Sequence, residues 1–423
     1  MAHYVRSWIL LLLVGCGART GLGVEESDSG SVDDSGLEDA SMADASVPPL
    51  CEGATAVVRY VDGVPDRRSV SLRATVQIAE ADAYFLFDTT GSMIDEIAAM
   101  RATVLDLVDT LTCPTEGRPC SDGGDCGSGE QCSPTGVCGP EDQVRGCLPD
   151  LHVGVGRYAG RADTYRHLRS PSPPSAALPD AIPAAANGVG AAESLYQSVS
   201  CIGRIGRCGS AGCVSGRGCP GFRPGALPIV VAITDEGDQC SARIPPECLE
   251  TLDTAVEAMG LLEATFVGIS ADPRGGEAED FLRAIAIGTD STDVNGEPLV
   301  FVGSGSAVVD AVRSGLRSVG VQPLDLRVAL QPLEGDALQY VDHIRIDRES
   351  PGCFAYRDTE DEDGDGWDDT VLGAGPGTTG CFEVTFVDRA PRPASEEPQV
   401  ARVRATLTGD GAVVDQQFVC VVY

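Results

Sequence analysis

Short apolar runs alternate with helical patterns between residues 83 and 319. The run AYFLFD at residues 83–88 is apolar on both faces, as strands buried in parallel sheets are. LPIVVAITD and EATFVGIS are of the same kind, and segments with apolar residues at helical spacing, such as SAVVDAVRSGLRSV, separate such runs. The alternation predicts an α/β domain with a mostly parallel sheet.

The pattern changes near the C-terminus. Over residues 321–423, segments such as LDLRVALQPL and GCFEVTFVD are typical of strands joined by turns, which predicts an antiparallel β-sandwich. The β-rich segments of residues 51–82 have no partners of their own. We therefore expect them to join the sandwich, with the α/β domain of residues 83–320 inserted between the two parts.

The N-terminal segment has the pattern of an export signal. Arg6 precedes a short apolar run that is too short to span a bilayer and ends in LVGC. This resembles the lipobox of bacterial lipoproteins, which implies a signal peptide over residues 1–16, lipidation of Cys16, and a place at the outer membrane or cell surface. The alternative is an ordinary secretory signal with a chance cysteine. Residues 17–50 are acidic and lack aromatic residues, which predicts a disordered tether.

The cysteines indicate disulfides. The chain has 17, and an even number remains without Cys16, as expected of an exported protein. Six lie in residues 113–147 and four in residues 201–219, two inserts rich in Gly and Ser in which disulfides would replace a core. Cys240 and Cys248 follow the second buried strand directly, and we expect them to pair. The pairing within the inserts cannot be deduced from their spacing.

The net charge and the absence of several motifs disfavour some classes of partner and of enzyme. The formal net charge is -34, with 64 acidic against 30 basic residues, so a nucleic acid or anionic membrane partner is disfavoured. The sequence contains no H-E-x-x-H, G-x-S-x-G or C-x-x-C pattern. A histidine-based catalytic metal, a serine hydrolase elbow and a zinc knuckle therefore find no support.

Oxygen-bearing side chains follow two of the predicted buried strands. Asp88 and Asp235 each end such a strand, and ligands of open α/β sheets bind at the carboxyl ends of the strands. Thr90 and Ser92 follow Asp88 at alternate positions, so that their hydroxyls can converge in the next loop. Carboxylates and hydroxyls form a hard oxygen site suited to Mg²⁺, Mn²⁺ or Ca²⁺.

These residues carry a family resemblance. DTTGS resembles the D-x-S/T-x-S metal-ion-dependent adhesion motif of von Willebrand factor A-type domains, and IVVAITDEGD is similar to that family's later strand and aspartate. The resemblance covers residues 83–320 apart from the two inserts and implies a doubly wound sheet. It also implies that Mg²⁺ (or Mn²⁺) is held by Asp88, Thr90, Ser92 and Asp235.

The integrin β subgroup is the closer resemblance, and it also inserts this domain into a β-sandwich. It implies a second metal at Asp95 and Glu96, and a further ligand, Glu193, in the segment NGVGAAESLYQ. Ala192 stands where that subgroup has proline and Gly190 replaces its aspartate, which disfavours a third metal. The residues alone allow another interpretation: Asp95 and Glu96 as favourable acids of a first helical turn, and Glu193 as a helix-start residue.

A second acidic segment lies in the predicted sandwich. Residues 358–369 read DTEDEDGDGWDD, and their spacing resembles the calcium loops of thrombospondin type 3 repeats. Leu372 stands where an EF-hand loop has glutamate. The resemblance predicts a structural Ca²⁺ site, and a solvated acidic turn is the alternative. The candidate ligands are Asp361, Asp363, Asp365 and Asp369.

The sequence as a whole predicts a surface-anchored, metal-dependent binding or adhesion protein that is not an enzyme. Its partner would be a protein that presents a carboxylate to the metal, and its membrane contact would be the lipid anchor only. One alternative is a metal-dependent hydrolase or an enzyme accessory subunit, with Glu236 or Asp238 as the base. Another is a structural envelope lipoprotein.

Overall fold

The computed structural model describes residues 51–59, 67–121, 123–159, 165–184, 193–204, 212–239, 250–272, 276–334, 337–348, 350, 353, 358–387, 400–410 and 412–422. The lipidation site Cys16, the tether at 17–50, and Cys240 with Cys248 lie outside the described residues, so these remain predictions. Among the described helices, none has the length and apolar character needed to cross a membrane.

The described elements form a mixed α/β fold with several sheets, as predicted. The strands are β1 Ala56–Arg59, β2 Arg67–Thr75, β3 Glu80–Asp88, β4 Glu130–Cys132, β5 Cys138–Pro140, β6 Asp150–Tyr158, β7 Arg166–Ser172, β8 Leu227–Thr234, β9 Thr265–Ser270, β10 Val300–Val302, β11 Leu324–Glu334, β12 Val341–Ile346, β13 Thr359–Glu360, β14 Thr370–Ala374, β15 Thr379–Val387, β16 Val400–Gly409 and β17 Ala412–Val422. The helices are α1 Ile94–Leu111, α2 Glu141–Val144, α3 Leu178–Ala181, α4 Leu195–Gly203, α5 Leu252–Gly260, α6 Glu277–Gly288 and α7 Ala307–Gly320.

The α/β part is built on a six-stranded sheet of order β10-β9-β8-β3-β6-β7. Neighbouring strands of this sheet pair in parallel, except that β7 is antiparallel to β6. Alternate side chains of β3 enter different cores. Phe85 and Phe87 pack with α1 and α7, whereas Tyr84 and Leu86 pack with α4, α5 and α6. Helices therefore cover both faces, which explains why β3 is apolar throughout.

The remaining long strands form two further sheets. The larger has the order β1-β17-β16-β11-β14-β13, and the smaller has the order β12-β15-β2. β1 pairs in parallel with β17, and β2 pairs antiparallel with β15. Each of the two N-terminal strands therefore belongs to a sheet whose other strands come from the C-terminal part of the chain. The bond Cys51–Cys420 joins the chain just before β1 to β17.

The predicted disulfides are confirmed for the described cysteines. In the first insert, the two disulfides among the four inner cysteines overlap in sequence, and the bond Cys113–Cys147 joins the two ends of the insert. Because this insert connects the end of α1 to the start of β6, it lies at the amino edge of the parallel strands. Further bonds between pairs of described cysteines are Cys120–Cys132, Cys126–Cys138, Cys213–Cys219 and Cys353–Cys381.

A buried ion pair lies at the same amino edge. Asp82 of β3 is 0% exposed, and both of its oxygens are bonded to Arg223. The Arg223 backbone N–H donates to Oδ2 at 2.6 Å and the guanidinium Nε donates to Oδ1 at 2.7 Å. Nη1 of the same guanidinium donates to Oδ2 of Asp150 at 2.6 Å. Arg223 thus ties the loop before β8 to β3 and β6.

Two helix-ending glycines allow a matched test of helix packing. A Cβ on Gly203, the last residue of α4, would lie 2.2 Å from the backbone oxygen of Ala258, whereas a Cβ on Gly260, at the end of α5, would meet nothing within 4 Å. We expect Gly203→Ala to lower the free energy of unfolding by about 1–3 kcal/mol, because backbone must move to relieve the overlap. Gly260→Ala should leave it unchanged or raise it by up to about 1 kcal/mol. Urea denaturation of both variants checks this, and equal effects would contradict the packing of α4 on α5.

Candidate metal centre

The carboxyl edge of the parallel sheet brings the predicted site residues together. β3 and β8 are hydrogen-bonded neighbours, with Phe87 opposite Ile233, so Asp88 and Asp235 emerge side by side. After Asp88, the Thr89 N–H donates to the backbone oxygen of Tyr158 at 2.9 Å. A 3-10 turn, Gly91–Met93, then leads into α1. The sheet thus fixes both aspartates, and the turn places the hydroxyls that follow Asp88.

A chain of hydrogen bonds links the four residues of the adhesion-type motif. Asp88 Oδ1 accepts from the backbone N–H and the hydroxyl of Thr90, both at 2.9 Å. The Thr90 and Ser92 hydroxyl oxygens are 3.1 Å apart, and Ser92 donates to Asp235 Oδ1 at 3.1 Å. Thr234 donates to the other oxygen, Oδ2, of Asp88 at 2.9 Å. Every member of this chain carries an oxygen that can face a cation.

Glu193 is the third carboxylate of the site. One oxygen from each of Asp88, Glu193 and Asp235 lies within 4.8 Å of the others. Glu193 is 2% exposed, and its Oε2 has no hydrogen-bond partner in the described structure. Burial, and after it the charge of Asp88, raises the pKa of Glu193 to about 10. Burial also raises the pKa of Asp235 to about 6.

The residues present fit a hard divalent cation. Two buried carboxyl groups and a half-buried one, that of Asp235, repel one another when ionised, and a positive charge among them removes that cost. The donors are carboxylate and hydroxyl oxygens, the set that suits Mg²⁺, Mn²⁺ or Ca²⁺ rather than a soft metal. The unpartnered Oε2 of Glu193 supplies a free acceptor at the same place.

The two acids predicted for a second metal differ in their surroundings. Asp95 is exposed in the first turn of α1. Glu96 is 7% exposed, and its Oε1 accepts the backbone N–H of Gly305 at 2.7 Å. Neither belongs to a group of three metal-ligating side chains in the described part of the chain. Glu96 therefore holds the loop before α7, and a second metal there stays a prediction.

Two residues of the site, Thr234 and Tyr158, were missed by the sequence analysis, and Asp238 was named there only as a possible base. Thr234 directly precedes Asp235, and this position is the sequence feature from which it could have been predicted as a site residue. Asp238 is 1% exposed and accepts the backbone N–H of Tyr196 at 3.2 Å. Tyr158 at the end of β6 is fully buried. Burial, followed by the charges of Asp88 and Glu193, raises the Tyr158 pKa well above its usual range.

The acidic segment of the sandwich forms a compact loop. Asp361, Asp363 and Asp365 can place one oxygen each within 4.8 Å of the others, whereas Asp369 is not part of that group. Asp361 accepts backbone N–H groups from Gly364 at 2.7 Å and from Gly366 at 2.9 Å. These three carboxylates could hold a cation together.

Comparisons with known proteins give distant structural neighbours. No protein-family model matches the chain, and no curated protein matches it. A von Willebrand factor type A protein from Catenulispora acidiphila is similar with a TM-score of 0.35 and 14% identity, over 88% of this chain and 72% of that one. The pilus adhesin SpaC of Lactobacillus rhamnosus GG gives 0.33 and 11%, over 85% and 46%. The manganese-loaded TRAP protein of Plasmodium vivax gives 0.31 and 11%, over 81% and 97%. Likeness at this level carries no conclusion about function.

Proposed function

We propose that this protein is a non-enzymatic adhesion or binding protein that captures a carboxylate of a protein partner through a divalent cation, Mg²⁺ or Mn²⁺. The observation that supports this is the convergence of Asp88, Glu193 and Asp235 at the carboxyl edge of the sheet. A site made only of acceptors and hydroxyls has no affinity for an acidic partner by itself, because like charges repel. The bound cation supplies the positive charge that such a partner needs.

The chain's own residues would set the position and selectivity of the cation. Asp88, Thr90 and Ser92 come from a single strand and turn, so their spacing is fixed by β3 and α1. Glu193 reaches the site from a different segment, and its backbone oxygen accepts the N–H of Gln239 at 2.9 Å. This bond couples the Glu193 segment to the loop that follows Asp235.

Other parts of the proposal concern attachment and support. We propose that Cys16 carries a lipid and that residues 17–50 hold the folded part away from an outer-membrane or cell surface. The described disulfides fit an oxidising compartment of this kind. Ca²⁺ at the acidic loop would have a structural role, since the bond Cys353–Cys381 lies close in sequence.

Peptide selection tests the capture of a carboxylate. The full-length protein is presented with a displayed peptide library in Mg²⁺ or Mn²⁺, and in parallel with EDTA. We expect peptides with a central Asp or Glu to be enriched only with the cation, because the proposed site offers them its one positive charge. Resynthesis with Asn or Gln at that position is the matched control. Enrichment that persists in EDTA, or that ignores the acid-to-amide exchange, would contradict the proposal.

A further inference from the structure

We propose that a second site, a pocket around Trp367 on the sandwich, binds a saccharide. The pocket has a volume of about 340 Å³. Its position, its residues and its chemistry are separate from the metal centre, so it stands or falls independently of the proposed function. It combines one aromatic side chain with charged groups of both signs. The side chains that carry the argument are Arg345, Asp347, Arg348, Trp367, Asp368 and Glu383.

Trp367 is unusual for its exposure. It is one of two tryptophans in the chain, and the other, Trp8, lies in the predicted signal segment. Trp367 is 41% exposed in a loop made almost entirely of acids and glycines. Leaving part of an indole in water forgoes burial free energy of about 25 cal/mol per Å². Exposed indoles that line pockets are typical of recognition surfaces, where an apolar face and a polar edge act together.

The indole is held in a fixed orientation. Its ring stacks on the imidazole of His343, with centroids 4.6 Å apart and planes inclined by 9°. His343 is 8% exposed, so the imidazole that supports the indole is a buried side chain of the sandwich. The guanidinium carbon of Arg345 lies 5.5 Å from the indole centroid. A pre-oriented ring loses little conformational entropy when a ligand stacks on it.

The charged groups of the pocket already pair with one another. Arg345 donates to Glu383 at 3.0 Å, and Arg348 donates to Asp368 at 2.6 Å. A charged ligand would have to displace one of these partners. A neutral polyol need not, since each hydroxyl can donate to a carboxylate and accept from a guanidinium. Paired donors and acceptors beside an indole therefore suit the hydroxyls and the apolar C–H face of a sugar ring.

The walls of the pocket are braced by backbone bonds. The Ile346 N–H donates to the backbone oxygen of Asp368 at 2.9 Å, and the Asp347 N–H donates to that of Cys381 at 3.0 Å. Cys381 is in turn bonded to Cys353. The volume of the pocket is near the lower end of the roughly 300–1,000 Å³ of small-molecule sites, which leaves room for about one or two sugar rings.

Tryptophan fluorescence gives a direct readout of this pocket. In the full-length protein, Trp8→Phe leaves Trp367 as the sole tryptophan. The protein is first applied to an array of oligosaccharides, and the glycans that bind are then titrated while Trp367 emission is followed. We expect saturable binding with a change in emission. Trp367→Ala, assayed on the array, should weaken binding about tenfold or more, which corresponds to the upper range of an aromatic stacking contribution.

A matched control and a competing ligand make the test decisive. Leu338→Ala removes another exposed apolar side chain of the sandwich, 37% exposed and outside the pocket, and should leave glycan binding unchanged. Melting temperatures of both variants report the fold. Absence of glycan binding would overturn the proposal, as would binding that Trp367→Ala leaves intact. A response of Trp367 to tetramethylammonium but to no glycan would assign the pocket to cations instead.

Discussion

Asp88→Ala is expected to abolish binding of Mg²⁺ and Mn²⁺ at the carboxyl edge while the protein stays folded. Asp88 is the buried centre of the site, and both of its oxygens are engaged by Thr90 and Thr234. Groups that merely support a metal ligand typically alter affinity 10- to 100-fold, so loss of a ligand should lower it by more than about 100-fold. The unpaired donors should cost about 1–3 kcal/mol of stability, which relief of carboxylate repulsion partly offsets.

Isothermal titration of the full-length, metal-free protein checks this result. Asp310→Ala is the control, because Asp310 is an acid on α7 with 75% of its side chain exposed, and it pairs with a nearby arginine, Arg313. The control should bind the cations as the unaltered protein does. Binding at the acidic loop would remain in both variants and would appear as a separate event with Ca²⁺. Equal Mg²⁺ titrations for Asp88→Ala and the unaltered protein would remove the basis of the proposed function.

Arg223→Leu is expected to be the most destabilising of the substitutions considered. It leaves the carboxylate of Asp82, 0% exposed, without its guanidinium partner. Breaking a buried ion pair from one side costs about 3–5 kcal/mol, because the remaining charge stays desolvated. The free energy of unfolding should fall by this amount in urea denaturation under oxidising conditions, with the disulfides intact.

Two further variants separate burial of charge from loss of the arginine itself. Arg313→Leu removes a guanidinium from an exposed pair with Asp310 and should change stability by less than about 1 kcal/mol. The double variant Asp82→Leu with Arg223→Leu removes both charges and should recover much of the lost stability. If the double variant is as unstable as Arg223→Leu alone, the buried charge is not the cause.

Much of the fold follows from patterns that depend only on neighbouring residues. The strands β3 and β8 are visible because continuous apolar runs belong to sheets covered on both faces. The edge strand β7 was missed, since its sequence RHLRSPS is polar and includes a proline. Edge strands tolerate both features because one side of the ladder is unpaired, so the pattern loses its signal there.

Some residues of the candidate site could be predicted from local sequence patterns, and others could not. Asp88 and Asp235 are predicted because each ends a recognisable strand, and carboxyl ends of neighbouring parallel strands meet. Glu193 was reached only through a resemblance, as it precedes a helix and no spacing rule links it to the sheet. The role of Asp238 and the buried hydroxyl of Tyr158 depend on the packing of separate segments, which a single sequence does not encode locally.

Contacts between residues far apart in the sequence could not be predicted, for a related reason. The cysteine spacing of the first insert allows many connectivities, and only the folded path brings Cys120 to Cys132. The Trp367 pocket likewise draws on β12, β15 and the acidic loop, segments that are brought together by the sheet and not by sequence distance.

The bond between Cys51 and Cys420 spans 369 residues and encloses nearly the whole folded part of the chain. A protease that cuts the backbone once between these two residues produces two fragments that remain covalently joined. If the proposed lipid anchor at Cys16 holds the protein at a cell surface, a single cleavage would therefore not shed the α/β domain. Release would require a second cut, reduction of this bond, or cleavage in the segment before residue 51.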